Sequence, residues 1–180
     1  MEKEELRKVL LKKLLSLTKK EVAEKSREIQ KNLKKLLLYK KAKKIMIYYP
    51  LKGEVDLLDM VRKAEKNFYF PKIKGKNLVP YLIKDLEKDF EKGKFGVKEP
   101  IEERCERVKE EDLDLIIVPG LAFDYQKNRL GRGAGFYDRF LKKIKKTKVG
   151  VAFDFQVVKN LPYLSHDEKV DILVTETNIF

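Results

Sequence analysis

Two arginines and three alternating glycines stand together in Arg129-Leu130-Gly131-Arg132-Gly133-Ala134-Gly135, and this combination is chemically suited to holding an anion. Four of the chain's nine glycines fall between Pro119 and Asp138. Glycine reaches backbone angles closed to other residues, so the N–H groups around positions 131, 133 and 135 can converge on one phosphate. Arg129 and Arg132 add planar donors that match phosphate oxygens. Phe136, Tyr137, Phe140, Leu141 and Ile144 follow at helical spacing, and a helix starting there turns its free N–H groups and positive dipole end to the same point. The competing reading is a plain tight turn, which would have no use for two arginines. Asp138 then needs an explanation. A carboxylate beside phosphates repels them unless a cation such as magnesium intervenes, while an aspartate in the first helical turn is also favoured by the dipole alone.

The segments around this loop read as alternating strands and helices. Leu115 to Val118 is a short uninterrupted apolar run, expected as a buried strand that feeds the loop. Leu6, Val9, Leu10, Leu14 and Leu17 give a first amphipathic helix from about Lys3. Thr18 with Glu21 forms a capping-box pattern that starts a second helix, expected to end near Tyr39. Ile45 to Tyr49 reads as a strand closed by Pro50. The loop 51–56, carrying Glu54, then enters a helix with Leu57, Leu58, Val61 and Ala64 inward. Further strands are expected at 67–71, 78–83, 148–154 and 171–175, with a charged, partly helical or mobile stretch at 85–94. The alternation implies an α/β fold: a three-layer α/β/α sandwich with a mostly parallel or mixed central sheet, Rossmann-like, in one domain spanning 1–180.

Composition narrows the function classes. Forty-two Lys plus Arg against twenty-nine Asp plus Glu leave a net charge of +13, and residues 1–44, with sixteen basic and six acidic residues, carry +10 of it. That basic segment has two arginines and one aromatic, Tyr39, so stacking and bidentate base contacts are poorly provided for and a solvated lysine face is expected. One cysteine, Cys105, and one histidine, His166, leave no zinc cluster and no intramolecular disulfide. The chain shows no signal peptide and no apolar run near eighteen residues, so a cytoplasmic protein without membrane or nucleic-acid partners is expected.

The runs Pro119-Gly-Leu-Ala-Phe-Asp124 and Arg129-Leu-Gly-Arg-Gly-Ala-Gly-Phe-Tyr-Asp-Arg-Phe-Leu141 resemble the signature of the 5-formyltetrahydrofolate cyclo-ligase, or 5,10-methenyltetrahydrofolate synthetase, family. The resemblance extends over nearly the whole chain and is strong again at 166–176. It implies an ATP- and Mg2+-dependent monomeric enzyme that acts on 5-formyltetrahydrofolate, with or without a polyglutamate tail. On that resemblance ATP is held by Lys3, Arg7 and residues Arg129, Leu130, Gly131, Arg132, Gly133, Ala134, Gly135, Phe136 and Tyr137. The folate meets Glu54, Phe95 and residues 132–136, Arg132 and Tyr137 serve catalysis, and Asp138 and Asp171 hold the metal. Gln156 matches a family position of uncertain role. Two departures concern the folate pocket: Leu57 stands where the family commonly has threonine, and Val79 to Ile83 lacks a Met-x-Phe element. Two rival readings are a basic RNA-binding module and a nicotinamide-binding oxidoreductase. The latter would open its glycine loop directly from a strand, whereas Gly131 lies thirteen positions beyond Val118 with Gly-x-Gly-x-Gly spacing.

Overall fold

The structure, a computed structural model, describes residues 1–180. In chain order the helices are α1 (Lys3–Ser16), α2 (Lys19–Lys35), α3 (Leu37–Lys41), α4 (Leu58–Lys63) and α5 (Phe136–Leu141). The strands are β1 (Lys44–Met46), β2 (Asn67–Lys74), β3 (Asn77–Ile83), β4 (Phe90–Lys92), β5 (Lys98–Pro100), β6 (Leu115–Val118), β7 (Ala122–Asp124), β8 (Arg129–Leu130), β9 (Lys148–Val151), β10 (Val157–Val158) and β11 (Ile172–Val174).

Six strands form the central sheet in the order β11-β9-β6-β1-β2-β3. All neighbours run parallel except β3, which folds back antiparallel on β2. The apolar runs follow from this placement, because a parallel strand in mid-sheet is covered on both faces. Successive side chains go to opposite sides. Ile45 and Ile117 pack with Ile29 and Leu33 of α2 and Met60 of α4, while Met46, Ile116 and Val118 pack with Phe140, Leu141 and Ile144 beyond the other face. The expected three layers and mixed sheet are therefore present. A small sheet, β10-β7-β8, and a hairpin, β4-β5, flank this core. Against the small sheet α1 lays Leu10, beside Ala122, Leu130 and Leu161.

The capping box forms as expected: the Glu21 N–H donates to Thr18 Oγ1 at 3.1 Å, and the Thr18 N–H to Glu21 Oε2 at 2.7 Å. Three local expectations are revised. The second helix breaks at Leu36, whose extended ψ of 125° separates α2 from α3. Four consecutive apolar residues, 36–39, cannot all face one side of a helix, and the break buries Tyr39 while leaving Leu37 outside. Residues 85–93 are not helical, and a single 3-10 turn begins only at Lys94. The Asp89 carboxylate gathers the N–H groups of Lys84 and Asp85 into a turn that leads to β4. The helix after the glycine loop ends at Leu141, although Ile144 remains buried.

In open α/β sheets ligands collect beyond the carboxyl ends of the strands. Here those ends lead to Tyr48–Asp56, to Pro119–Leu121 and to Ala152–Gln156. Gly53 holds the first of these loops against α1. It adopts φ +82°, and a Cβ there would stand 2.5 Å from the Leu14 carbonyl oxygen. Gly75 has φ +62° but open space around it. Gly53→Ala is therefore expected to lose roughly 1–3 kcal/mol of stability in urea unfolding, clearly more than Gly75→Ala, which meets backbone strain alone. Equal losses would mean that α1 does not press on this loop.

Candidate active site

One cleft of about 920 Å³ receives the first two of these carboxyl-end loops, the amino-terminal half of α1 and the whole glycine loop. Of the residues expected to serve the site, Lys3, Arg7, Glu54, Phe95, the run 129–137 and Asp138 all line it. Asp171 does not.

The glycine loop is built from three different requirements. Gly133 and Gly135 take φ +112° and +73°, so they are glycines for backbone reasons. Gly131 has no such angle. A Cβ there would stand 3.1 Å from both terminal nitrogens of Arg129, so it is glycine to admit a guanidinium beneath it. The N–H groups of Gly131 to Gly135 donate to no backbone carbonyl of the protein, which leaves a row of donors at the cleft. α5 follows directly, and its first three N–H groups also lack intrahelical acceptors.

Arg129, expected as a phosphate ligand, is only 8% exposed and lies beneath the loop. Its Nη1 donates to the Pro119 carbonyl at 2.9 Å, its Nη2 stands 3.7 Å from Asp138 Oδ1, and its guanidinium lies 5.3 Å from the Tyr137 ring centre. Burial lowers its pKa, and the charge of Asp138 opposes that shift. Burial likewise pushes the Tyr137 phenol well up, with Arg129 opposing and Glu54 adding, so Tyr137 stays a protonated donor at neutral pH.

Arg132 does reach the cleft, and its partner is Glu54. Nε and Nη2 both donate to Glu54 Oε1, at 3.2 and 3.0 Å, while Glu54 Oε2 accepts the Leu51 N–H at 2.9 Å. From α1, Lys3 pairs with Asp167 and Arg7 Nε donates to the Gly131 carbonyl at 2.9 Å. Burial alone would raise the Asp167 carboxyl, but Lys3, together with the Leu164 N–H, holds it below the usual carboxylate range. Phe95 sits at the rim, 76% exposed, with φ +58° and its ring centre 6.3 Å from that of Phe136.

The expectation that Asp138 and Asp171 share a metal is corrected. Asp171 precedes β11 at the amino end of the sheet and accepts the Lys148 N–H at 2.8 Å, as Asp114 accepts those of Lys43 and Lys44 at 2.9 Å. Both aspartates fasten strand entries, at the end opposite the cleft. Asp138 does line the cleft: Oδ1 faces Arg129 and the Glu168 N–H, and no protein donor reaches Oδ2. No cluster of three or more His, Cys, Asp or Glu is placed to hold a metal. That donor set suits magnesium carried chiefly by phosphates and water, with one carboxylate from the protein.

Sequence reasoning passed over Arg139 and Lys142, which also line the cleft. They lie three and six positions after Phe136, on the same helical face, which is the signal that could have found them. Gln156 has a structural role, its amide donating to the Gly120 and Leu121 carbonyls at 2.9 and 3.1 Å. Cys105 donates weakly to the Asp89 carbonyl, and it does not line the cleft that His166 borders.

Comparison with known proteins agrees with this arrangement. The sequence profile of the 5-formyltetrahydrofolate cyclo-ligase family matches residues 1–176. A probable 5-formyltetrahydrofolate cyclo-ligase of Schizosaccharomyces pombe is 31% identical over 99% of this chain and 97% of its own. The NMR structure of Aquifex aeolicus 5,10-methenyltetrahydrofolate synthetase superposes with a TM-score of 0.89 at 45% identity, covering 99% of this chain and 92% of that one. A 5,10-methenyltetrahydrofolate synthetase from Mycoplasma pneumoniae shares the fold, with a TM-score of 0.78 at 23% identity. With the glycine loop, Arg132 and Glu54 gathered in one cleft and the match running from the first residue almost to the last, the chain belongs to the 5-formyltetrahydrofolate cyclo-ligase family, a family of ligases.

Proposed function

We propose that the protein uses ATP to close 5-formyltetrahydrofolate into 5,10-methenyltetrahydrofolate, releasing ADP and phosphate. The observation that carries this reading is the shared cleft: a row of free backbone N–H groups with Arg132, Lys3 and Arg7 opens onto the same space as Glu54, Phe95, Phe136 and Tyr137. A phosphate site and a site for a flat, hydrogen-bonding ring are thereby adjacent.

A formamide carbon is a weak electrophile, and its oxygen leaves poorly as water. The formyl oxygen attacks the terminal phosphorus of ATP, the bond from that phosphorus to the ADP oxygen breaks, and an imidate-like phosphate results. The neighbouring folate amine then adds to the activated carbon and gives up its proton, and the carbon–oxygen bond breaks with loss of phosphate. The second step is intramolecular, so the substrate supplies its own proximity. The protein's task is alignment and charge neutralisation.

The loop N–H groups and Arg132 are suited to the phosphates, with Lys3 and Arg7 approaching from α1. Arg129 serves them indirectly, by holding the loop from below. Glu54 is placed to accept hydrogen bonds from the amine and ring N–H groups of the pterin. Phe95 and Phe136 offer ring faces, and the protonated Tyr137 hydroxyl is a donor for the oxygen under transfer. Magnesium, held by phosphates and Asp138, would neutralise charge between the outer phosphates. The reading takes the protein to act as a monomer. Arg139 and Lys142 add positive charge suited to the acidic glutamate tail, whether single or extended.

Mixing protein, ATP, magnesium and 5-formyltetrahydrofolate should raise the absorbance of methenyl-folate, and no rise would overturn the reading. In the same assay Arg132→Ala is expected to lower kcat/KM by about 10²–10³-fold with folding retained. Asp138→Asn should raise the magnesium concentration needed for half-maximal rate. Asp171→Asn should leave that concentration unchanged and lower thermal stability instead; the opposite pattern would return Asp171 to the metal.

A further inference from the structure

We propose that Glu54 has a second role as a latch on Arg132, so that folate occupying one half of the cleft frees the guanidinium for phosphates in the other half. The inference rests on the function proposed above and adds to it a coupling between the two substrates.

The argument starts from acceptor capacity. A carboxylate oxygen offers about two lone-pair directions. Glu54 Oε1 receives two donors from Arg132, and Oε2 already receives the Leu51 N–H. One direction is left, so Glu54 cannot accept a pair of pterin donors while Arg132 holds Oε1. The same contact occupies the Nε and Nη2 edge of the Arg132 guanidinium and holds the side chain on Glu54, so only the Nη1 and Nη2 end remains for a phosphate. Each residue thus limits the other's hold on its ligand.

The two partners differ in freedom. Glu54 is 13% exposed, and its loop is tied to α1 through the close approach of Gly53 to Leu14. The Arg132 side chain is 38% exposed, its residue lies between Gly131 and Gly133, and its own N–H donates to no backbone carbonyl. Arg132 is therefore the partner that swings. Pterin donors arriving at Glu54 displace it, and the nearest strong acceptors for the released guanidinium are the nucleotide phosphates. By linkage, whatever affinity the folate adds for nucleotide, the nucleotide adds equally for folate.

The test is calorimetric titration of wild-type protein and Glu54→Gln with magnesium and a non-hydrolysable ATP analogue, each with and without 5-formyltetrahydrofolate. Gln keeps an acceptor for the Leu51 N–H while weakening the hold on Arg132. In wild type, folate is expected to tighten analogue binding at least about fivefold. Glu54→Gln should bind the analogue alone about threefold or more tighter than wild type, with less than about twofold further gain from folate. If that variant does not fold, Glu54→Asp keeps the charge, withdraws it by one methylene, and should shift the analogue's affinity in the same direction. An analogue affinity in the variant equal to or weaker than wild type, or a wild-type affinity indifferent to folate, overturns the latch. Failure of the function itself has a separate sign, since wild type would then form no methenyl-folate, whereas turnover by wild type with uncoupled binding removes the latch alone.

Discussion

The site hangs from a positive charge placed underneath it. Burying a guanidinium costs several kcal/mol unless the surroundings compensate. Around Arg129 the compensation comes from four residues on three segments: the Pro119 carbonyl after β6, the Asp138 carboxylate and the Tyr137 ring on α5, and Gly131 in the loop, whose missing side chain makes the room. The compensation is incomplete, since Nε has no partner. None of the three segments can shift without exposing the charge to a worse environment. One arginine therefore fixes where β6 ends, where the loop crosses and how α5 begins, and the row of N–H groups in between is held open without acceptors of its own. A glycine-rich loop with no such anchor would lose that geometry to its own backbone freedom.

How much of this was legible depended on whether the signal was local. The strand at 115–118, β3 and the Thr18 cap rest on side chains a few positions apart and stand close to where the sequence put them, while β2 runs on past Pro71 to Lys74. The small sheet of β7, β8 and β10 left no such trace, because strands of two or three residues have no period to read. The buried position of Arg129 left no signal for a different reason. An arginine in a glycine loop has the chemistry of a phosphate ligand, and only the tertiary packing decides that this one points down and Arg132 outward. Asp171 carried a usable signal in its order along the chain. It precedes its strand, whereas Glu54 follows β1, and in a parallel sheet that order alone assigns the two carboxylates to opposite ends.

Four of the cations at the cleft follow one pattern. Lys3 with Asp167, Arg7 with Glu4, Arg129 with Asp138 and Arg132 with Glu54 are all cation–carboxylate pairs, while Arg139 and Lys142 face the cleft without a carboxylate partner. Most of the chain's net charge of +13 sits on the basic amino-terminal segment. Pairing keeps the like charges of the cleft from pushing its loops apart before a ligand arrives, and phosphate is a stronger partner than carboxylate for the cations that are free to turn. Of the four pairs, Arg129 with Asp138 is locked by burial, and Arg132 with Glu54 has one partner on unbonded backbone. The same pairing that stabilises the empty site is therefore graded: rigid where the loop needs support, and exchangeable where the chemistry needs a charge delivered.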